Sequence, residues 1–351
     1  MPERVFRLEP RGAFHVGAWG IGREEALDYI PSDTLFSALL MQGIATKGGP
    51  PDFLSALTQP SPAEPPLLMT SAFPYAGPVR FFPRPAGGPT AGLEKDFRKA
   101  RWVSERIFHA LRQGRTPEGE RDLKKNLVQG KGVWLTLEER RQIAQALGVR
   151  DVPGAPESDL RMWAVGVVPR VAVDRLTSAS NLFHAGRLTF ARKCGLWLAA
   201  RGTEEALTWL EDCLRLLQDA GLGGLRSIGH GAFVLRTWDE APPLPAPADG
   251  DACFISLSRC APREEEFDKV LRKSKSAYQL EVIAGWCQDD AGHPWRRKRI
   301  RMIKEGARLG WSGNVPGTVV NVRPDGVEGF TRPVWRWGLA FLVAAGAGGE
   351  A

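Results

Sequence analysis

Five glycines frame one arginine, one serine and one histidine in the stretch Gly221-Leu-Gly-Gly-Leu-Arg-Ser-Ile-Gly-His-Gly231. Glycine brings bare backbone N–H groups close to a ligand. Arg226 and Ser227 add a charge-assisted and a neutral donor, a set that suits phosphate. An amphipathic helix pattern from Thr203 to about Ala220 precedes this loop, and a strand pattern from Ala232 to Trp238 follows it. Phosphate loops of nucleotide enzymes run the other way, from strand through glycines to helix. No Gly-Lys-Ser/Thr follows the glycines here, so kinase or ATPase chemistry is disfavoured. A helix cap and tight turn need two glycines. Five ask for a further reason, and close approach of a polyanion backbone is one.

Histidines supply the other candidate chemistry. His15 ends the first strand pattern, His184 lies in a polar hairpin and His230 sits in the glycine loop, with His109 and His293 elsewhere. A histidine base beside a positioned cation can cleave RNA without metal. Metal hydrolysis is disfavoured, because no H-x-E, H-E-x-x-H or acidic cluster has ligand spacing. The five cysteines at 194, 213, 253, 260 and 287 contain no C-x-x-C pair, so neither a disulfide framework nor a zinc knuckle is expected. Reduced thiols point to the cytoplasm. No metal and no cofactor is expected.

The elements that must position these residues follow from pattern. Val5 to Val16 reads as a strand, broken at Pro10-Arg11-Gly12. Ser32 or Asp33 is a natural N-cap for a helix with the stripe Leu35, Phe36, Leu39 and Leu40, stopped by Gly43 and Gly48-Gly49. Leu67 to Phe73 reads as a strand. Residues 77–156 read as an irregular insertion. It holds the basic run Lys95 to Arg115, where Phe97 and Trp102 interleave with cations; a solvated amphipathic helix is favoured there over a nucleic-acid surface. Leu137 to Leu147 is helical, and strands follow from Arg161 to Thr189 and from Leu196 to Ala200. Ala241 to Gly250 is a proline-rich linker and divides residues 1–240 from 251–351. Beyond it, Cys253 to Cys260, Tyr278 to Cys287, Thr318 to Val322 and Trp335 to Ala344 read as strands. Arg296 to Lys304 reads as a strand with Arg297, Arg299 and Arg301 on one charged face. The order strand, helix, strand, strand, helix, glycine loop, strand suits a ferredoxin-like split βαβ sandwich with large insertions, an α+β fold.

Composition sets the bounds. The chain has 351 residues, enough for two domains, with 43% hydrophobic and 25% charged residues, a globular balance. Its net charge of +7 is a modest basic excess that favours a polyanion partner. No window reaches the roughly 18 apolar residues of a membrane span, so no membrane association is expected.

Several segments, in order, resemble one family. They are Phe14-His15-Val-Gly17, Ile30-Pro-Ser-Asp-Thr-Leu-Phe-Ser-Ala38, Phe82-Pro-Arg-Pro85, Pro169-Arg-Val-Ala-Val-Asp-Arg-Leu-Thr-Ser-Ala-Ser-Asn-Leu-Phe183, the glycine loop, Met302-Ile-Lys-Glu-Gly306 and Pro333-Val-Trp-Arg-Trp-Gly338. Together they resemble the RAMP subunit that caps the 5′ handle of guide RNA in type III-A CRISPR effectors, the fourth subunit of the Csm complex. The resemblance weakens between about 95 and 155. It implies two ferredoxin-like (RRM-like) RAMP domains and a non-catalytic, crRNA-binding subunit of a ribonucleoprotein. The implied partners are the crRNA 5′ handle, the large polymerase-domain subunit and the backbone RAMP subunit.

For this sequence the resemblance implies an RNA contact at His15, Ser32, Asp33, Arg84 and Arg170. A β-hairpin at about 170–190 would present Arg175, Thr177, Ser178, Asn181, Phe183 and Arg187, with Leu182 or Phe183 wedged against a base. Asp174 would orient Arg175. The glycine loop would contribute Gly221, Gly223, Gly224, Arg226, Ser227, Gly229 and His230. The alternative is a metal-independent RAMP endoribonuclease that processes CRISPR repeat RNA through His15 or His230.

Overall fold

The computed structural model describes residues 1–17, 24–59, 64–88, 93–117, 119–151, 153, 160–248, 253–272, 276–289, 291–310, 313–327 and 330–346. The last two residues assigned to the proline-rich linker, 249 and 250, lie outside these. In chain order the first half contains β1 (Glu3–Pro10), α1 (Ser32–Lys47), α2 (Leu54–Leu57), β2 (Leu67–Met69), β3 (Phe73–Ala76), β4 (Val79–Pro83), α3 (Lys95–Lys99), β5 (Trp102–Ser104), α4 (Glu105–Arg112), α5 (Leu123–Asn126), β6 (Leu127–Val128), β7 (Val133–Trp134) and α6 (Leu137–Leu147). Next come β8 (Trp163–Val173), β9 (Ser180–Phe190), β10 (Cys194–Gly202), α7 (Glu204–Ala220) and β11 (Phe233–Thr237). The remainder holds β12 (Cys253–Ser256), β13 (Leu280–Ile283), β14 (Trp286–Gln288), β15 (Pro294–Arg296), β16 (Ile300–Ile303), β17 (Arg308–Gly310), β18 (Val320–Asn321), β19 (Trp335–Arg336) and β20 (Leu342–Ala345). The fold is mixed α+β. Among the described residues no helix is long and apolar enough to cross a membrane.

One large sheet organises the first 240 residues, in the order β11-β1-β10-β3-β4-β5-β7-β6, with β2 also on β10. Its centre is antiparallel: Phe6 lies opposite Leu198, Leu8 opposite Leu196 and again opposite Leu235. These leucines and the phenylalanine share one buried face because side chains alternate along a strand. The Thr203 hydroxyl caps α7 by accepting from Ala206 N at 3.2 Å. Gly43 does not stop α1, which continues to Lys47 and ends at the left-handed Gly48 (φ +77°). Gly43 is a contact surface instead: a Cβ there would lie 3.0 Å from the Trp209 indole, so its absence lets α1 press against α7.

The described residues of the insertion form regular elements rather than an irregular stretch. β4, β5, β7 and β6 prolong the main sheet, and a Thr136–Glu139 capping box starts α6. Within its basic run Phe97 packs on Trp134 (4.8 Å between ring centroids) and Trp102 is buried, while Lys95, Arg98 and Lys99 are exposed. The aromatics are core, and the cations form a solvated face. The basic stretch after the linker also departs from expectation. β15 ends at Arg296 and β16 begins at Ile300, so Arg297 leaves the alternation and turns inward. Burial, then Arg336, pull the Arg297 pKa down to about 10, although Asp33 opposes this.

Three of the singled-out segments meet in one buried polar network. Ser32 and Asp33 open α1, but neither caps it; Pro31 occupies the cap position without a side-chain bond. Asp33 accepts from Arg259 at 3.0 Å and from Arg336 through its other oxygen. The Ser32 hydroxyl accepts from Arg259 N at 3.0 Å, and Ser32 N donates to the Ser71 hydroxyl at 2.8 Å. Arg259 also donates to Glu281 at 2.6 Å. Glu305 accepts from Ser71 at 2.6 Å and from Tyr29 at 3.0 Å. Ser32 and Asp33 are fully enclosed. Their type was legible; their role as the clasp between residues before and after the linker was not. The linker itself is strapped down. Leu244 is buried, its carbonyl accepts from Arg201, and the Pro242 carbonyl accepts from Arg80 at 2.8 Å.

Candidate nucleic-acid interface

β8 and β9 form a two-stranded ribbon whose eleven register pairs run from Trp163–Phe190 at the base to Val173–Ser180 near the tip. At about 3.3 Å per residue this is roughly 35 Å of ribbon. Neither strand joins another sheet among the described residues, apart from the bridge between Leu188 and Phe14. Alternation gives the ribbon two unlike faces. One carries Val165, Val167, Val171, Val173 and Leu182, all exposed, and shares them with Pro169, His184 and Ser180. The opposite face places Arg187 across from Gly166, Arg170 across from Phe183 and Asn181 across from Ala172.

The tip is a tight turn built by Asp174. Its carboxylate accepts from Leu176 N (2.9 Å), Thr177 N (2.7 Å) and the Thr177 hydroxyl (2.9 Å). Asp174 therefore organises the turn rather than orienting Arg175. The backbone and hydroxyl donors of Thr177 hold the Asp174 carboxyl below its ordinary pKa. Ser178 is left-handed (φ +57°) and exposed, and Leu176 stands out at 96% exposure. Leu176 at the turn joins Val171, Val173 and Leu182 as bare apolar groups of the finger. Phe183 is half-buried on the opposite face from Leu182.

The glycine loop meets the base of this ribbon through His15. Gly224 N donates to His15 O at 2.8 Å, and the His15 ring Nδ1 lies 2.7 Å from Gly186 O of β9. A carbonyl partner requires Nδ1 to carry the proton. Gly186 is itself confined, since a Cβ there would meet Glu24 O at 2.4 Å. His230 is buried on the loop's inner side. Burial lowers its pKa, and Arg170, His15 and Arg187 add to the effect, so the imidazole stays neutral at neutral pH. Arg187 follows Gly186, whose carbonyl meets the His15 ring, and with Arg170 it acts electrostatically on His230 of the loop. Arg226, Ser227, Ile228 and Gly229 are exposed on a single 3-10 turn next to them.

Most of the glycines answer to the protein rather than to a ligand. A Cβ would lie 2.2 Å from Leu222 O at Gly231, 2.4 Å from His15 O at Gly223, 2.9 Å from His230 O at Gly221 and 2.8 Å from the His15 ring at Gly224. Only Gly229 of the set faces open space. Gly231 (φ +86°) and Gly229 (φ +85°) share a left-handed backbone, so substitution separates the two causes. Gly229→Ala should cost about 1–2 kcal/mol of left-handed strain. Gly231→Ala adds a backbone clash and should lower stability by at least about 3 kcal/mol. Equal urea midpoint shifts for the two variants would refute the packing explanation.

Ser32 and Asp33 lie in the enclosed clasp and are not presented to a ligand by this fold. Arg84 is half-buried at the end of β4, where its backbone carbonyl sits 2.9 Å from the position of a Cβ on Gly306. It belongs to the clasp side of the molecule and does not figure among the groups acting on His230. Among the remaining expected residues the structure groups His15, Arg170, Arg187, Arg226, Ser227, Gly229 and His230. Arg175, Thr177, Ser178 and Asn181 lie outward along the finger. The valine face did not figure among the expected residues, though the alternation of Val165, Val167, Val171 and Val173 carried the signal. Among the described residues no group of three or more His, Cys, Asp or Glu is arranged to hold a metal ion.

The chain resembles known proteins along its whole length. The family described as the CRISPR Csm4 C-terminal domain matches residues 250–345. The CRISPR system Cms protein Csm4 of Mycobacterium tuberculosis is 25% identical over 341 residues, covering 95% of this chain and 97% of the relative. Its counterpart in Thermococcus onnurineus is 24% identical, covering 78% of each. In three dimensions the fold is similar to a chain of a Csm3–Csm4 subcomplex of the type III-A CRISPR-Cas interference complex (TM-score 0.65, 16% identity, 97% and 99% coverage). It is also similar to a chain of a Csm1–Csm4 cassette solved with AMPPNP (TM-score 0.55, 18% identity, 98% of each chain).

Proposed function

We propose that the chain is a Csm4-type subunit of a type III CRISPR complex, as its resemblance to such proteins supports, and that it is the non-catalytic subunit that grips the 5′ handle of crRNA. It links a Csm1-type large subunit to a Csm3-type backbone subunit, the partners named in the structures it resembles. One observation carries the RNA reading. The exposed turn Arg226–Gly229 and the arginine face of the β8–β9 ribbon are joined through His15 into one cationic surface. Backbone donors and arginines hold ribose-phosphate there, while the finger separates splayed bases. Burial of both His15 and His230 supports binding without cleavage, because a general base must reach the 2′-hydroxyl it deprotonates.

The architecture is read in the same way. The order β11-β1-β10-β3 with α1 and α7 is that of a ferredoxin-like βαββαβ unit, and we assign residues 1–240 to one RAMP domain. Residues 251–351 form the second, centred on β17-β12-β20.

The test is photocrosslinking of the assembled particle carrying 4-thiouridine in the crRNA handle. Crosslinks are expected within residues 170–187 and 225–229. Handle crosslinks confined to other subunits would sink the proposal. Incubation of the purified chain with labelled repeat RNA in EDTA should return intact RNA. Specific cleavage abolished by His15→Ala would establish the endoribonuclease reading instead.

A further inference from the structure

A cleft of about 580 Å³ opens at the foot of the ribbon, between the β9–β10 connection, β1 and the β3–β4 turn. Its chemistry is unlike that of the surrounding core. Arg7 projects from β1, stacked 3.4 Å above the Trp238 ring and 5.4 Å from the Tyr75 ring. Among the described residues its guanidinium has these aromatic faces but no hydrogen bond and no ion pair, and its Nε is buried without a partner. Burial pulls its pKa below the ordinary arginine value. Arg192 and Lys193 stand exposed on the same rim, likewise without an anionic partner among the described residues. Glu9 is the one carboxylate in the lining, and Arg236 engages it at 3.6 Å. Phe190, Pro10 and Pro78 supply apolar wall. Burial pushes the Cys194 thiol up to about 12, so the cleft has no thiolate nucleophile.

An arginine Nε buried against aromatic rings without an acceptor is costly, and the remaining donors of the half-buried Arg7 stay available to a ligand. Two further cations beside it set that acceptor's charge, and the aromatic and proline walls set its shape. We propose that this cleft is a nucleotide-binding site. Arg7, Arg192 and Lys193 hold a phosphate, while Glu9 and the Tyr75 hydroxyl receive the hydrogen-bonding groups of the ribose or base. The volume lies within the range of small-ligand sites. The nucleotide is either one unit of the RNA strand leaving the ribbon base, a source that rests on the RNA reading above, or a free mononucleotide.

Fluorescence anisotropy of the full-length chain distinguishes the two sources. The probes are fluorescein-labelled AMP and a labelled single-stranded RNA of eight nucleotides. The Arg192→Ala/Lys193→Ala variant changes only exposed side chains, and Arg7→Gln is the second variant. Both should weaken AMP binding at least about tenfold. If the RNA strand supplies the occupant, AMP displaces RNA. The double variant then lowers the slope of log K against log salt by about 0.7, the value of one single-strand phosphate contact. If AMP binds without displacing RNA, the free nucleotide is the ligand. Unchanged AMP and RNA affinity in the double variant would overturn the site. An Arg170→Ala/Arg187→Ala control separates the failures. If it weakens RNA while the cleft variants weaken neither RNA nor AMP binding, the cleft proposal falls alone. If it leaves RNA binding intact while the cleft variants lose AMP, the RNA reading falls and the cleft stands.

Discussion

Asp33→Ala is expected to lower the melting temperature by about 10 °C, corresponding to about 3–5 kcal/mol for removing one partner of a buried ion pair. The reason is the company Asp33 keeps. Its carboxylate is fully enclosed and answers two arginines that are themselves buried, Arg259 and Arg336. Deleting it leaves the buried Arg336 without a carboxylate among the described residues and takes from Arg259 one of its three, the others being Glu281 and Glu305. Burial alone would raise the Asp33 pKa, but Arg259 and Arg336 outweigh it and hold the carboxyl below the ordinary range. Its folded pKa therefore lies below its unfolded value. The stabilisation is complete above about pH 4, the unfolded carboxylate range, and is lost only as pH falls through the lower folded value. Thermal melts at pH 7 and pH 5 should show the same deficit for Asp33→Ala. A change of less than about 2 °C would mean that the clasp is not holding the halves together. Arg336→Met in the Asp33→Ala background should recover part of the loss, because it removes the charge left without a carboxylate.

Replacing Val171–Leu182 by Asn-Gly is expected to weaken binding of single-stranded handle RNA on the order of 100-fold while leaving the melting temperature nearly unchanged. The two-residue turn closes the ribbon at the Arg170–Phe183 pair, a length that hairpin turns accommodate. The excised segment is exposed throughout, so its removal uncovers almost no buried surface. It carries Arg175, Thr177, Ser178, Asn181, Leu176 and Leu182. Stacking of a single base on a protein side chain is worth about 1–3 kcal/mol, and 1.4 kcal/mol is tenfold. Mobility shift and differential scanning calorimetry on the same preparation separate the two readouts. Full RNA affinity in the shortened protein would remove the finger from the binding surface.

The sequence carried the local elements well where a single period governs them. α7 and its Thr203 cap, α6 from Leu137 to Leu147 and the β1 alternation are all visible in the chain. The glycine loop's place between helix and strand was equally visible. What local pattern could not carry is who sits opposite whom. Ser32 and Asp33 have the composition of an N-cap, and a reading of nearest neighbours assigns them there. Their partner Arg259 lies 226 residues away. Gly43 looks like a helix stop until Trp209 is placed against it. The strands at 79–83, 102–104 and 133–134 are too short for a period, and they become legible only as additions to an existing sheet edge. At the candidate site the residue types pointed to a polyanion, but four of the five loop glycines face the chain itself.

The β8–β9 ribbon has a cost for any copy of this chain that finds itself alone. Among the described residues both strands leave their outer amides and carbonyls without a strand neighbour along most of their length, and one side is rich in bare valine and leucine. Such a strip is a template for pairing with its like. Synthesis in excess over whatever covers it therefore leads toward self-association and precipitation. The abundance of this chain in a cell must be balanced against that of its companions, and recombinant yield should rise when they are made together.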